Sequence, residues 1–242
     1  MCMNYQRASK SRTHIRGLFY ILSNPYLFRR LIVRELFHRR RFYGKREWIK
    51  WQIYDALTSM PHHGSLQSLS QPLNKARIET IIHMVQNIGQ NLRILDVGCG
   101  DGSIGKTLRR IGHDVMSLEL PKVASLAKND YNVRDIVAGD AEIMPFKSES
   151  FDVVIAAEIF EHLWNPKSFF KESHRILRCG GYLILSSLEG PEALRYDTHK
   201  QYVTIEALKD GLKGIFKLSE LIHLEPQGAA PTYTIVAMLR RV

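Results

Sequence analysis

Between residues 92 and 187, short runs of β-branched or apolar residues alternate with helix-patterned stretches. This alternation constrains the fold more than any other feature of the chain. Leu92–Val97, Val115–Glu119, Val133–Ala138, Asp152–Ala157 and Tyr182–Ser187 have the length and composition of strands. Helical stretches lie between them at 102–111, 121–129 and 166–178. A helix pattern from Lys75 to Ile88 precedes them, with Ile78, Ile81, Ile82 and Val85 on one face. Strand alternating with helix predicts an α/β fold, a mostly parallel sheet with helices on both faces. The last part differs: a helix at 204–213, then Phe216–Leu224 and Thr232–Leu239 separated by Pro226, Gly228 and Pro231. Two strands joined by such a loop predict a terminal antiparallel pair. No internal repeat is visible.

The stretch that carries chemistry is Ile94-Leu95-Asp96-Val97-Gly98-Cys99-Gly100-Asp101-Gly102, a strand running into a glycine-rich turn and then a helix. Glycines there permit positive φ and let a ligand approach the backbone. Dinucleotide sites use the same device, so the turn alone is weakly specific. Three further features narrow the reading. Glu119 closes the next strand about twenty residues on, where a carboxylate can accept hydrogen bonds from both ribose hydroxyls. Gly139-Asp140-Ala141-Glu142 follows the third strand and offers a carboxylate to an exocyclic amine. The turn has no clear G-x-G-x-x-G, and its Asp96 and Asp101 would repel a diphosphate. A nucleoside bearing a sulfonium and an amino group suits that electrostatics, whereas NAD does not.

These motifs resemble those of the class I S-adenosylmethionine-dependent methyltransferases, small-molecule branch. Ile94–Gly102 is similar to their first motif and Val115–Glu119 to the ribose-binding strand. Gly139–Phe146 is similar to the adenine-side motif, Phe151–Ile155 to the fourth strand, and Leu177–Leu183 to the turn into the fifth. The resemblance implies a Rossmann-like, doubly wound sheet of seven strands with the last inserted antiparallel beside the fifth. It implies S-adenosyl-L-methionine as cofactor at the carboxyl ends of the strands. Residue by residue it places Asp96, Gly98, Cys99, Gly100, Glu119, Leu120, Asp140, Ala141 and Glu142 on that cofactor. Leu73-Asn74-Lys75-Ala76-Arg77 resembles the Asn-x-x-Arg helix start of ubiquinone-type O-methyltransferases, which would set Arg77 against the methionyl carboxylate.

Ala157–Leu163 also resembles the segment after the fourth strand in ubiquinone- and menaquinone-type enzymes. Some of those associate a Glu-x-x-Glu-His pattern with a divalent metal, here Glu158, Glu161 and His162. The Glu-His-Leu element is also widespread in metal-independent members, and no metal is expected. His199, in Tyr196–Tyr202, resembles a histidine near the acceptor pocket; anchoring its own loop is the competing reading. His162 and His199 are therefore the candidates to take a proton from a hydroxyl acceptor. A carbon acceptor on an electron-rich ring needs less help, and the residues leave oxygen, carbon and nitrogen open.

The formal net charge of +10 is unevenly spread. Residues 1–50 hold 13 Lys/Arg and 2 Asp/Glu, a net of +11; residues 51–242 hold 21 and 22, a net of −1. Residues 26–43 read as a basic amphipathic helix, with Leu27, Phe28, Leu31, Ile32 and Leu36 on one half of the wheel. Arg29, Arg30, Arg34, Arg40 and Arg41 occupy the other half, while Val33, Phe37 and Arg39 break the pattern. One reading packs the apolar half on the main domain; another lays residues 16–51 on an anionic membrane. The Ser-, Gln- and Pro-rich stretch at 60–74 predicts a joint, giving a mostly helical extension at 1–74 and a catalytic domain at 75–242. Nucleic acid is the least favoured partner. The Asn/Asp-Pro-Pro-aromatic tetrapeptide of amino-methylating enzymes is missing, and Ala157-Glu158-Ile159-Phe160 stands in its place.

No apolar region with a small-residue cleavage site opens the sequence, and Leu18–Leu22 is too short to span a bilayer. Cys2, Cys99 and Cys179 fit a reducing compartment. The expectation is a cytoplasmic methyltransferase, with the inner face of a membrane as the alternative address. Its acceptor is expected to be a small, lipid-linked or glycan molecule, methylated on oxygen. RNA or protein methylation and a non-catalytic binding module are the rival readings.

Overall fold

Ile94, Leu95, Asp96 and Val97 are all buried in the computed structural model, which describes residues 72–190, 202–206, 208, 212, 214–225 and 233–242. They belong to β1 (Arg93–Val97), the centre from which the sheet is wound. β2 (Asp114–Glu119), β3 (Ile136–Ala138), β4 (Phe151–Ala157) and β5 (Leu177–Leu188) follow, then β6 (Phe216–Leu224) and β7 (Thr234–Arg241). Among the described residues, the helices are α1 (Pro72–Ile88), α2 (Ser103–Arg110), α3 (Pro121–Asn129) and α4 (Pro166–Ile176), with a 3₁₀ turn at Phe160–His162. The seven strands form one sheet in the order β3-β2-β1-β4-β5-β7-β6. β1 pairs in parallel with both β2 and β4, and β7 pairs antiparallel with both β5 and β6. The expected seven-stranded sheet with an inserted antiparallel last strand is therefore observed.

Alternation along the strands feeds two cores, because both faces of a wound sheet are covered. Leu95, Val97, Val154, Ala156, Leu183, Leu185, Ile235 and Ala237 join Phe160, Leu163, Phe169 and Phe170 on one face. Ile94, Val153, Ile155, Ile184 and Val236 join Ile81, Met84 and Val85 of α1 and Ile104 and Leu108 of α2 on the other. Strand order reverses between β1 and β4, so the crevice for a ligand opens at the carboxyl ends of these neighbours.

Three strands depart from expectation by more than one residue, and one of them, β7, starts and ends two residues later than the expected Thr232–Leu239. β3 starts three residues later than Val133, because Asn132 and Asp135 have φ of 53° and 52° and break the pleat. Val133 packs with Cys99 and Ala127 instead. β5 starts earlier, at Leu177, which pairs with Phe151 before a register shift to Val153 and Tyr182. The basic segment at 16–51, His199 and much of the expected helix at 204–213 lie outside the described residues.

Candidate active site

The glycine turn needs its glycines for two different reasons. Gly98, Gly100 and Gly102 all have positive φ, at 69°, 52° and 74°. A Cβ on Gly98 would overlap the Ile159 side chain, and one on Gly102 would lie 2.6 Å from Val133 Cγ2. Those two are set by crowding. In front of Gly100 nothing lies within 4 Å of a Cβ position, so the backbone is open to a ligand there. The turn is tied to β2 through the Gly98 amide, which donates to the Leu118 carbonyl at 2.8 Å. Glu119 completes the tie: its Oε2 accepts from the Gly100 amide at 3.1 Å and its Oε1 from the Leu120 amide at 2.8 Å.

The electrostatics of the turn are one-sided. Asp96 is 2% exposed and its Oδ2 has no hydrogen-bond donor. Burial pushes its pKa up to about 7; Glu119 and Asp101 add to this, while the Gly105 amide and Arg109 offset part of it. Burial also raises the Glu119 carboxyl, against the two amides it accepts. Asp101 Oδ1 takes the Ser103 amide at 3.0 Å and the Ser103 hydroxyl, leaving a buried Oδ2 without a donor. The nearby cation, Arg109, donates to the Val115 and Arg134 carbonyls. Buried carboxylate oxygens without hydrogen-bond partners, on a turn whose backbone is open at Gly100, fit a cationic amino or sulfonium group and reject a phosphate. The residues therefore fit the sulfonium nucleoside expected from the sequence. The Cys99 thiol is held far up by burial and then by Asp96 and Glu119, so it is a neutral wall of the turn.

Beyond β3, Asp140 and Glu142 are both buried, and Asp140 Oδ1 accepts the Glu142 amide at 2.9 Å. The Glu142 side chain turns toward the segment after the 3₁₀ turn. Its Oε1 accepts from the Trp164 amide at 2.6 Å and from the Asn165 amide at 3.0 Å. Ala141 between them is half-buried.

The turn after β4 gathers the remaining candidates. Glu158 has φ of 56°, and its amide donates to the Ser186 carbonyl at 3.0 Å. Its Oε1 accepts from Ser186 Oγ at 3.3 Å and its Oε2 lies 3.4 Å from the Arg77 guanidinium. Glu161 is 1% exposed and accepts from Ser187 Oγ at 3.0 Å; burial, then Glu158, raises its pKa. His162 is half-buried on the same turn. Among the described residues, no group of three or more His, Cys, Asp or Glu is arranged to hold a metal ion. The structure thus gathers Asp96, Gly98, Gly100 and Glu119 on one turn, and Arg77 with Glu158 beside the next. Sequence reasoning did not single out Ile159, Ser186 and Ser187, whose roles depend on strands meeting across the sheet. It also missed the pair formed by His223 and Glu189, 3.4 Å apart at the ends of β6 and β5.

Residues 95–185 match the family model described as a methyltransferase domain. Over 126 residues the chain is 33% identical to the ubiquinone biosynthesis O-methyltransferase of Xanthomonas oryzae pv. oryzae, covering 48% of this chain and 50% of that protein. The chain spans about half the length of the curated relatives it matches. The N-methyltransferase NodS from Bradyrhizobium japonicum, solved with S-adenosyl-L-homocysteine, superposes with a TM-score of 0.65 at 16% identity, over 79% of this chain and 98% of that one. The 1,6-didemethyltoxoflavin-N1-methyltransferase of Burkholderia thailandensis, solved with 1,6-didemethyltoxoflavin and S-adenosylhomocysteine, gives 0.63 at 19% identity, over 84% and 92%. At these identities the likeness is one of fold.

Proposed function

We propose that this chain, whose residues 95–185 match a methyltransferase-domain model, is a class I enzyme that transfers a methyl group from S-adenosyl-L-methionine to a small-molecule acceptor, on oxygen. The observation that carries the reading is the buried Oδ2 of Asp96 without a hydrogen-bond partner, together with the open space in front of the Gly100 backbone on the same turn. When bound, the sulfonium supplies an activated methyl group, so the protein's share is orientation, exclusion of water and removal of a proton. Asp96 and Asp101 hold the cationic end of the cofactor, Glu119 the ribose, and Asp140 with the Ala141 backbone the base. Arg77 neutralises the carboxylates after β4 and stands ready for the methionyl carboxylate. His162 takes the acceptor's hydroxyl proton, and His199 is the second candidate for that role.

The oxygen acceptor is supported by the similarity to ubiquinone O-methyltransferases. A lipid-linked acceptor is further supported by the basic segment at 16–51, which we assign to an anionic membrane surface on the cytoplasmic side. No helix among the described residues is long and apolar enough to cross a membrane.

Calorimetry of the full chain with S-adenosylhomocysteine tests the cofactor. Binding should weaken at least tenfold in Asp96→Ala and in Glu119→Ala; affinity unaffected by both sinks the reading. Labelled S-adenosylmethionine offered with separate lipid and water-soluble extracts then tests the acceptor class. Label confined to nucleic acid or protein replaces it. Flotation with anionic vesicles at low salt tests the membrane address, which fails if the protein stays at the bottom.

A further inference from the structure

Glu142 belongs by sequence to the loop after β3, yet its carboxylate spends itself elsewhere. The group is 7% exposed, and one oxygen, Oε1, receives two backbone amides from across the site, Trp164 and Asn165. A buried carboxylate that accepts two N–H groups is satisfied by them and fixes their position. Its own amide is held in turn by Asp140 Oδ1. A continuous path therefore runs from the Asp140 side chain through residue 142 to the segment two residues beyond His162.

The same two segments are joined again further along. Asn165 caps α4, its side chain accepting from the Ser168 amide. From the second turn of that helix, Glu172 accepts the Met144 amide at 2.8 Å. Arg175, paired with Glu172, donates to the Met144 carbonyl at 3.0 Å and the Phe146 carbonyl at 2.7 Å. Residues 142–146 are thus gripped at both ends by residues 164–175, and Asp140 is tied to them through the Glu142 amide. A loop held this way moves with the helix that holds it.

We propose that Glu142 is a positioning residue that couples the loop receiving the nucleoside to the turn carrying His162, and that it does not itself bind the cofactor. The proposal rests on the reading that Asp140 and Ala141 meet the nucleoside. A ligand that orders residues 140–142 then orders Trp164 and Asn165 through the Oε1 contacts. Filling the cofactor site thereby sets the acceptor side before the acceptor arrives. Such coupling is a free energy shared between two places, so it shows as ligand-dependent order at a distance from the ligand.

Amide hydrogen exchange of the full chain, with and without S-adenosylhomocysteine, tests this. In the unsubstituted protein the ligand should slow exchange in residues 138–146 and also in 160–168. Glu142→Ala should speed exchange at 164 and 165 about tenfold without ligand. It should confine ligand protection to 138–146 and keep S-adenosylhomocysteine affinity within about threefold by calorimetry. Glu142→Gln, whose amide oxygen still accepts both N–H groups, should restore protection at 160–168. Should Glu142→Ala not fold, Glu142→Asp, with its carboxylate one methylene short, is read in its place. An affinity loss beyond tenfold in both the substituted and the Gln-rescued protein makes Glu142 a cofactor ligand and overturns the proposal. Protection at 160–168 that persists without the carboxylate overturns it as well. If the unsubstituted protein does not bind S-adenosylhomocysteine, the methyltransferase reading falls and takes this proposal with it. Faster exchange at 164 and 165 in the ligand-free variant would still stand as the mark of the contact.

Discussion

Arg77 and Glu158 face each other across 3.4 Å, with side chains 14% and 24% exposed. Arg77 Nε is buried and has no acceptor. The guanidinium is therefore not saturated by Glu158, and it also lowers the cost of the buried Glu161 carboxyl beside it. Arg77→Ala should destabilise the protein by about 1–2 kcal/mol, less than a fully buried pair because both groups reach solvent. In a Glu158→Gln background the same substitution should cost less, since one of the charges it balances is gone. Urea denaturation of the double-mutant cycle reads this; additive losses would mean that the pair contributes no coupling.

Gly98 and Gly100 predict opposite outcomes for the same change. Gly98→Ala meets both a left-handed φ and the Ile159 side chain, so it should cost at least about 2 kcal/mol and yield little folded protein. Gly100→Ala meets only the φ cost, about 1 kcal/mol, and should fold. Its methyl group enters the space left for the ligand, so S-adenosylhomocysteine affinity should fall tenfold or more. Equal melting temperatures for the two variants would contradict the crowding argument.

Asp96 makes the ligand-free fold sensitive to pH. Its folded pKa, about 7, stands above the usual carboxylate value of 3.8. A raised carboxyl stabilises fully below the unfolded pKa, and that contribution is lost as pH rises through about 7. At about 1.4 kcal/mol per unit the ceiling is about 4 kcal/mol. Asp96→Asn should therefore be clearly more stable than the unsubstituted protein at pH 8, less so at pH 5, and should gain little below the unfolded value of 3.8, by urea midpoint. A cationic ligand favours the ionised form, so binding near neutral pH should release a proton. Calorimetry in buffers of different ionisation enthalpy measures that release, and none would argue against contact between Asp96 and the cation.

His113 predicts a loss in the other direction. It is 8% exposed and its Nδ1 accepts the Leu92 amide at 3.3 Å, a role only the neutral ring can fill. Burial lowers its pKa below 6.5. The stability it contributes is present above 6.5 and is lost as pH falls through the folded pKa. The urea midpoint should drop between pH 7 and 5, and His113→Asn, which keeps an acceptor without a titrating ring, should flatten that drop. Parallel curves would remove His113 from the acid response.

Local patterns were legible in the sequence and cross-sheet ones were not. Ile94–Gly102 could be read because a strand, a turn and a helix start are written in nine consecutive residues. Glu119 could be read because its distance from that turn is set by one helix and one strand. Arg77 meeting Glu158, 81 positions away, carries no local signal; neither does Ser187 under Glu161 or Glu189 beside His223. Val133 looked like the start of a strand because it is β-branched, yet left-handed residues on either side turned it into packing for Cys99. The antiparallel pairing of β6 with β7 could be read from the loop that joins them, whereas the insertion of β7 beside β5 came from family resemblance alone.

That place has a consequence for how the chain is made. β7 is the last of the seven strands to leave the ribosome, and it sits between β5 and β6, both made earlier. Until it emerges, the outer edge of β5 and the whole of β6 have unpaired backbone groups facing water or other nascent chains. The sheet closes from its middle rather than growing at its rim. Loss of a few residues from Thr234–Arg241 would thus split β6 from the rest, making this short segment the keystone of the architecture.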